Sequence, residues 1–374
     1  MMSDLSGIVE WAALTNSPPP TTKALISEYF INSIKWVIPG ILIFYGCKNR
    51  QRFVLTVISI IGLYLLFAIQ IIKWMPLGMI VGGGDLARRA GKILQNEIGI
   101  NRDTLSTMMA GAFWASLQLR NLVKDGFQVF LIRMSNALIL LAQALTAGRA
   151  GYVAWFVCGC FLGLLRYKKY IILVPVLLFL IFSFVPQVKD RVFTGFSAQE
   201  TQDISEFEEQ YIYGGVNWYK VTSGRVVAWH YVIEKIGESP LFGYGRMAMQ
   251  RTGLASYLWT NFRESFPHPH NIYLEFLLDN GLLGLVPVLI FYFLVVRYSY
   301  SLFKDRQNDL FTIAGGISLA LVIAYLVGGL GSGHFYPVEE SFGRWCAIFL
   351  MLRVYVERSK IAGRRDSQIF IGQN

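Results

Sequence analysis

The sequence predicts an all-α, polytopic integral membrane protein with about nine transmembrane helices and one large loop on the outer side. Composition is the first reason: the 374 residues are 54% hydrophobic and 16% charged, where a soluble domain carries roughly 25% charged residues. Mean hydropathy is +0.45. The second is the pattern: apolar runs recur from about residue 31 to residue 356, broken by short polar pieces. They lack the alternation that strands of a transmembrane barrel would show. Backbone groups in lipid must be satisfied inside each spanning element, so runs of this kind read as helices.

The spans fall at 31–47, 53–72, 104–119, 127–147, 151–165, 170–186, 271–296, 309–330 and 342–356. This divides the chain into a polar leader (1–30), a six-span region (31–186), a large loop (187–269), a three-span region (270–356) and a basic tail (357–374). The leader is turn-rich around Asn16-Ser-Pro-Pro-Pro20 and carries no pattern of a cleavable signal peptide. Sidedness follows from Lys and Arg in the short connections. Loops 48–52, 120–126, 166–169, 297–306 and tail residues 357–365 hold 15 basic residues in 35 positions; segments 1–30, 73–103, 148–150 and 331–341 hold 7 in 75. The first set is expected in the cytoplasm, together with the C-terminus, and the alternation runs without a break. Arg133, early in its span, fits as a snorkelling side chain. The net charge of +10 is thereby read as membrane orientation rather than as a nucleic-acid surface.

Cys47, Cys158, Cys160 and Cys346 lie in or beside apolar runs, which disfavours a disulfide or zinc framework. Cys158 and Cys160 would sit about 200° apart on a helix, too far round to pinch one ion.

The loop 187–269 is nearly neutral, with 8 Lys and Arg against 9 Asp and Glu, and rich in aromatics that suit sugar stacking or docking at the membrane interface. Loops of this length usually have structure and a task. After Thr222-Ser223, the apolar residues Val226, Trp229, Ile233 and Ile236 recur at helical spacing until Gly237 and Pro240 end the run. An amphipathic helix on the outer membrane face is expected. Arg225 would stand in its first turn, where the dipole already favours an anion.

Signatures of soluble enzymes are missing: there is no DxD, Walker loop, GxSxG or HExxH. Gly329-Leu-Gly331-Ser-Gly333 ends a span instead of opening a helix after a strand, so it reads as packing or a turn. The conspicuous stretch is Phe266-Pro-His268-Pro-His270-Asn271-Ile-Tyr273-Leu-Glu275, two histidines at the outer mouth of a span behind stiffening prolines. Histidine is the side chain best suited to move a proton near neutral pH; the plainer alternative is an interfacial or capping role. A zinc site from these two histidines would need further ligands. His334 and Glu339 or Glu340 share that side, but their spacing gives no support, so no metal is expected. Arg149, in the three-residue outer turn Gly148-Arg149-Ala150, is out of place for the positive-inside rule and suits phosphate recognition, as does Arg225. Arg344 and the cluster Arg88, Arg89, Lys92 are weaker candidates of the same kind.

As a set these pieces closely resemble the O-antigen ligase and O-antigen polymerase superfamily: His270-Asn271, nine residues, then Gly281-x-x-Gly284, with Tyr273; Gly148-Arg149-Ala-Gly151; and Arg225-x-x-x-Trp229 followed by Pro240-Leu-Phe-Gly-Tyr-Gly245. The resemblance covers about residues 100–300, and the six spans ahead of the loop are fewer than that family commonly has. It implies a metal-independent glycosyltransferase of the bacterial inner membrane, with a periplasmic active site and no cofactor. It implies an undecaprenyl-pyrophosphate-linked glycan as donor. The acceptor would be a lipid A core sugar for a ligase or a lipid-linked glycan for a polymerase, with membrane lipid as the remaining partner and no nucleic acid. By the same resemblance His270 is the catalytic histidine and Arg149 and Arg225 bind pyrophosphate. Asn271, Tyr273, Trp229 and His268 support the site or contact glycan. The arrangement favours a ligase over a polymerase; a flippase would predict charge buried mid-span, whereas the candidate charges cluster at the outer surface.

Overall fold

The computed structural model describes residues 5–75, 86–166, 168–184, 186–196, 206–305 and 308–363. These are overwhelmingly helical, with one two-stranded antiparallel hairpin, Ile212–Tyr213 against Val216–Asn217. A helix runs through each of the nine predicted segments. Among the described residues, five helices are long and apolar enough to cross a membrane: Thr22–Gly46, Arg50–Trp74, Gly126–Thr146, Ile272–Phe303 and Asp309–Gly328. Arg102–Ser116, Arg149–Leu165 and Lys169–Phe184 have 15, 17 and 16 residues, short of the roughly 20 a straight span needs. Phe342–Gly363 is long enough but carries Arg344, Arg353, Glu357 and Arg358.

The chain forms two compact units. One comprises residues 30–188, 292–328 and 337–374. Its centre is the helix Asp309–Gly328, buried continuously from Leu310 to Tyr325, which packs on Arg102–Ser116, Arg149–Leu165 and Phe342–Gly363. Small residues allow the close approach. A Cβ on Gly151 would lie 2.1 Å from Ser106 Oγ and 2.5 Å from its carbonyl carbon, and Ser106 Oγ donates to the Gly148 carbonyl at 3.0 Å. The two glycines that flank Arg149 are thus packing glycines. Trp114 donates its indole N–H to the Trp155 carbonyl at 2.9 Å, securing the same pair of helices. Several basic loop residues have structural partners: Arg166 donates to the carbonyls of Phe303 and Asp305 at 2.7 and 2.6 Å. Arg344 is buried with its guanidinium 3.3 Å from the Tyr325 ring centroid, so it is a packing residue. The side chains of Arg88 and Arg89 lie outside the described residues, and Lys92 is exposed.

The other unit joins residues 1–29, 189–291 and 329–336. Its core gathers Trp11, Val227, Ala228, Val232, Met249, Leu254, Ala255, Leu258, Phe266 and Leu278. Trp11 comes from the helix Ser6–Leu14 in the leader, which meets the helix Ala248–Arg251 so closely that a Cβ on Gly7 would lie 2.3 Å from the Gln250 carbonyl oxygen. The predicted amphipathic helix is present as Arg225–Glu238. Val227, Ala228 and Val232 are buried, while Ile233 is 59% exposed. The loop supplies apolar partners for this buried face, and Val226 and Ile236 of the expected stripe pack against the same core. Of its aromatics, Phe207, Tyr211, Tyr219, Tyr231, Tyr257 and Phe262 pack on one another, with ring centroids 5.4 to 6.3 Å apart.

Candidate functional site

The site is assembled around the start of the helix Ile272–Phe303. His270 has φ 53°, the left-handed region, which histidine enters more readily than most side chains. The turn brings Asn271 into the capping position. Asn271 Oδ1 accepts from the amides of Tyr273 and Leu274 at 3.0 and 3.1 Å, as an N-cap should. The His-Asn pair therefore has a physical meaning: one residue turns the chain and the next closes the helix end. The neighbouring helix is tied to this turn, because Trp229 donates its indole N–H to the Pro269 carbonyl at 2.8 Å. Arg225 stands one turn earlier, at the start of Arg225–Glu238. That helix opens through Gly224, in the left-handed region at φ 78°. Thr222 Oγ1 accepts the Val226 amide at 3.1 Å, so the predicted Thr-Ser cap operates through its threonine.

Three histidines converge here. The rings of His268 and His270 have centroids 4.0 Å apart, those of His268 and His334 4.9 Å apart. The His270 amide donates to His268 Nδ1 at 3.3 Å. Burial, reinforced by His270, His334 and Arg225, holds the His268 imidazole well below its usual range, so it is neutral at pH 7. His334 Nδ1 sits 2.8 Å from both carboxylate oxygens of Glu275.

His334 arrives on residues 329–336, a strap fastened along the helix. The Ile272 amide donates to the Gly329 carbonyl at 2.9 Å, and Asn271 Nδ2 to the Leu330 carbonyl at 3.4 Å. Phe335 packs on Tyr273 and Phe276, with centroids 5.4 and 5.5 Å away. Tyr336 donates to Asp279 Oδ2 at 2.8 Å and accepts from Asn280 at 2.7 Å. The glycine-rich segment 329–333 is accordingly a turn, one of the two uses expected of it.

Further along, the helix breaks at Gly281, whose φ of 62° and ψ of −170° are non-helical. Segment 240–245 lies across the break. The amides of Tyr244 and Gly245 donate to the carbonyls of Leu278 and Asp279 at 3.0 and 2.7 Å; those of Leu282 and Leu283 donate to Pro240 and Leu241 at 2.8 and 3.1 Å. Backbone groups released by the kink are thus paired again, the condition for irregular backbone in a membrane protein. A Cβ on Gly281 would lie 2.2 Å from the Leu241 carbonyl group, and one on Gly243 2.6 Å from Leu278 and Asp279 backbone atoms. Two stretches that look separate in sequence, Pro240–Gly245 and the helix break at Gly281, are one piece of architecture.

Of the predicted site residues, His268, His270, Asn271, Tyr273, Arg225 and Trp229 belong to this unit, and Arg149 belongs to the other, at the first position of Arg149–Leu165. Glu275 was missed. In sequence it passes for an ordinary acid in the first turn of a helix, where the dipole favours carboxylates. The sequence places His334 on the same side as His268 and His270, but its spacing does not reveal the pairing with Glu275.

Helices and site together define a helical membrane protein with a polar site at a helix mouth. Residues 134–289 match the family model described as O-Antigen ligase, a stretch that contains all three sequence pieces of the resemblance. A Rickettsia conorii protein named "Putative polysaccharide ligase" is similar at 30% identity over 136 residues, 35% of this chain and 31% of that relative. The aligned stretch thus spans about a third of the relative's length.

Proposed function

We propose that the protein is a ligase-type membrane glycosyltransferase that moves a glycan from an undecaprenyl-pyrophosphate donor to an acceptor hydroxyl on a lipid A core sugar. The observation that carries this reading is the His270 turn, capped by Asn271 and held to the Arg225 helix by Trp229, inside the stretch that matches the ligase family. As the glycosidic bond breaks, charge gathers on the pyrophosphate. A fixed guanidinium stabilises that charge and no nucleotide is needed, because the bond is already activated. Arg225 takes this role; Arg149 is given it by the family resemblance alone. His270 receives the proton of the acceptor hydroxyl as it attacks the anomeric carbon, and this assignment uses no metal. The reading includes nine spans, a periplasmic site and a cytoplasmic C-terminus. The exposed apolar residues Leu241, Phe242 and Ile233 support a loop that rests at the membrane interface, close to the polyprenyl tail.

The test is gene deletion followed by analysis of the surface glycan. A ligase leaves undiminished lipid-linked polymer and a bare core. Single-repeat products would instead make it a polymerase that uses the same donor, and an unchanged glycan would refute both.

A further inference from the structure

We infer that His268, Glu275 and His334 form a binding site for one divalent transition-metal ion of the zinc class. One ligand atom from each lies within 4.8 Å of the other two. Zinc bonds of about 2.0–2.2 Å place tetrahedral ligands about 3.3 Å apart, so a side-chain adjustment of about an ångström or less per ligand closes the set. Two imidazoles and a carboxylate are among zinc's preferred donors, and three protein ligands leave a fourth position for water or an anion.

The surroundings favour this use. The contact of His268 Nδ1 with the His270 amide, at 3.3 Å, is long for a hydrogen bond and readily given up. Glu275 supplies the negative charge, and both His334 and Glu275 are carried on backbone fastened by hydrogen bonds and ring packing, so the ligands are preorganised. His270 stacks on His268 but is not one of the three. The ion therefore lies beside the proposed base without occupying it, and pins the strap to the helix start.

This inference is independent of the proposed function. The full-length protein, purified in detergent without chelator, would be titrated with Co²⁺ and then Zn²⁺, with optical absorption and bound metal measured. One equivalent should bind, with the visible bands of a four-coordinate Co²⁺ site that Zn²⁺ displaces. Glu275→Gln, His334→Asn and His268→Asn should each weaken binding at least tenfold, while His270→Ala leaves it unchanged. Size-exclusion elution and helical circular dichroism would confirm that each variant folds, and Glu275→Asp, which keeps the carboxylate, should retain part of the affinity. Sub-stoichiometric or millimolar binding by the wild type, or full affinity in folded Glu275→Gln and His334→Asn, would overturn the site. If chelation abolished transfer and zinc restored it, the metal-free chemistry proposed above would fall while the site stood.

Discussion

Replacing Gly281 with alanine tests the architecture most directly. The φ/ψ pair of 62° and −170° belongs to a region used essentially by glycine alone, and forcing another residue there costs of order 1–3 kcal/mol. The new methyl would also stand 2.2 Å from the Leu241 carbonyl, so segment 240–245 must withdraw. Four backbone hydrogen bonds cross the break; at about 0.5–1.5 kcal/mol each, their loss adds about 2–6 kcal/mol. The total, about 3–9 kcal/mol, is a large part of the 5–15 kcal/mol that typically separates folded from unfolded protein. Gly62 is the natural control. It lies inside Arg50–Trp74 with open space around its missing side chain, and alanine there should leave stability equal or raise it by up to about 1 kcal/mol. Thermal unfolding in detergent, followed by fluorescence-detected size exclusion, would compare the two. Gly281→Ala should show markedly reduced yield and a much lower Tm, with Gly62→Ala at or above wild type. A Gly281→Ala protein with wild-type Tm would refute the account of the kink.

Other substitutions separate chemistry from scaffold. His270→Ala should lower glycan transfer in a purified assay by about 10²–10⁴-fold, with the protein still inserted in the membrane; transfer at the wild-type rate would remove His270 from the mechanism. Arg225→Lys keeps the charge but loses the planar fork, and should reduce transfer by at least tenfold if pyrophosphate is bound there; unchanged kinetics would point to a structural arginine. Trp229→Phe preserves the ring and deletes the donor to Pro269, so transfer should fall about tenfold with little change in Tm, a split that a purely packing role would reverse. Asn271→Ala removes a cap worth about 1 kcal/mol, measurable as a Tm lower by a few degrees; an unshifted Tm would contradict the capping assignment.

How much could be read from sequence divides along the range of the interactions. The helices were legible because apolar runs and their polar breaks are local, and the 240–245 and 270–284 stretches were recognisable as pieces. That they touch was not legible, since nothing in Pro240–Gly245 announces that its amides will complete a helix forty residues later. The amphipathic helix was legible from its local spacing, whereas the core that buries Val227, Ala228 and Val232 is drawn from other parts of the chain. The place of Trp11 in the loop core and the meeting of His334 with Glu275 escaped for the same reason. Each reaches its place from a distant part of the chain, and the packing that holds it is absent from any local window.

The capped helix end has one more consequence, for where an anion can be held. The amides of Ile272, Tyr273, Leu274 and Glu275 are all engaged, by Gly329, twice by the Asn271 side chain, and by the Asn271 carbonyl. A helix N-terminus ordinarily offers its unpaired amides to phosphate groups; this one has none left to offer. Any phosphate-bearing ligand that reaches His270 must find its counter-charge away from this helix end, which gives the guanidinium of Arg225, at the start of the neighbouring helix, a larger share of anion recognition.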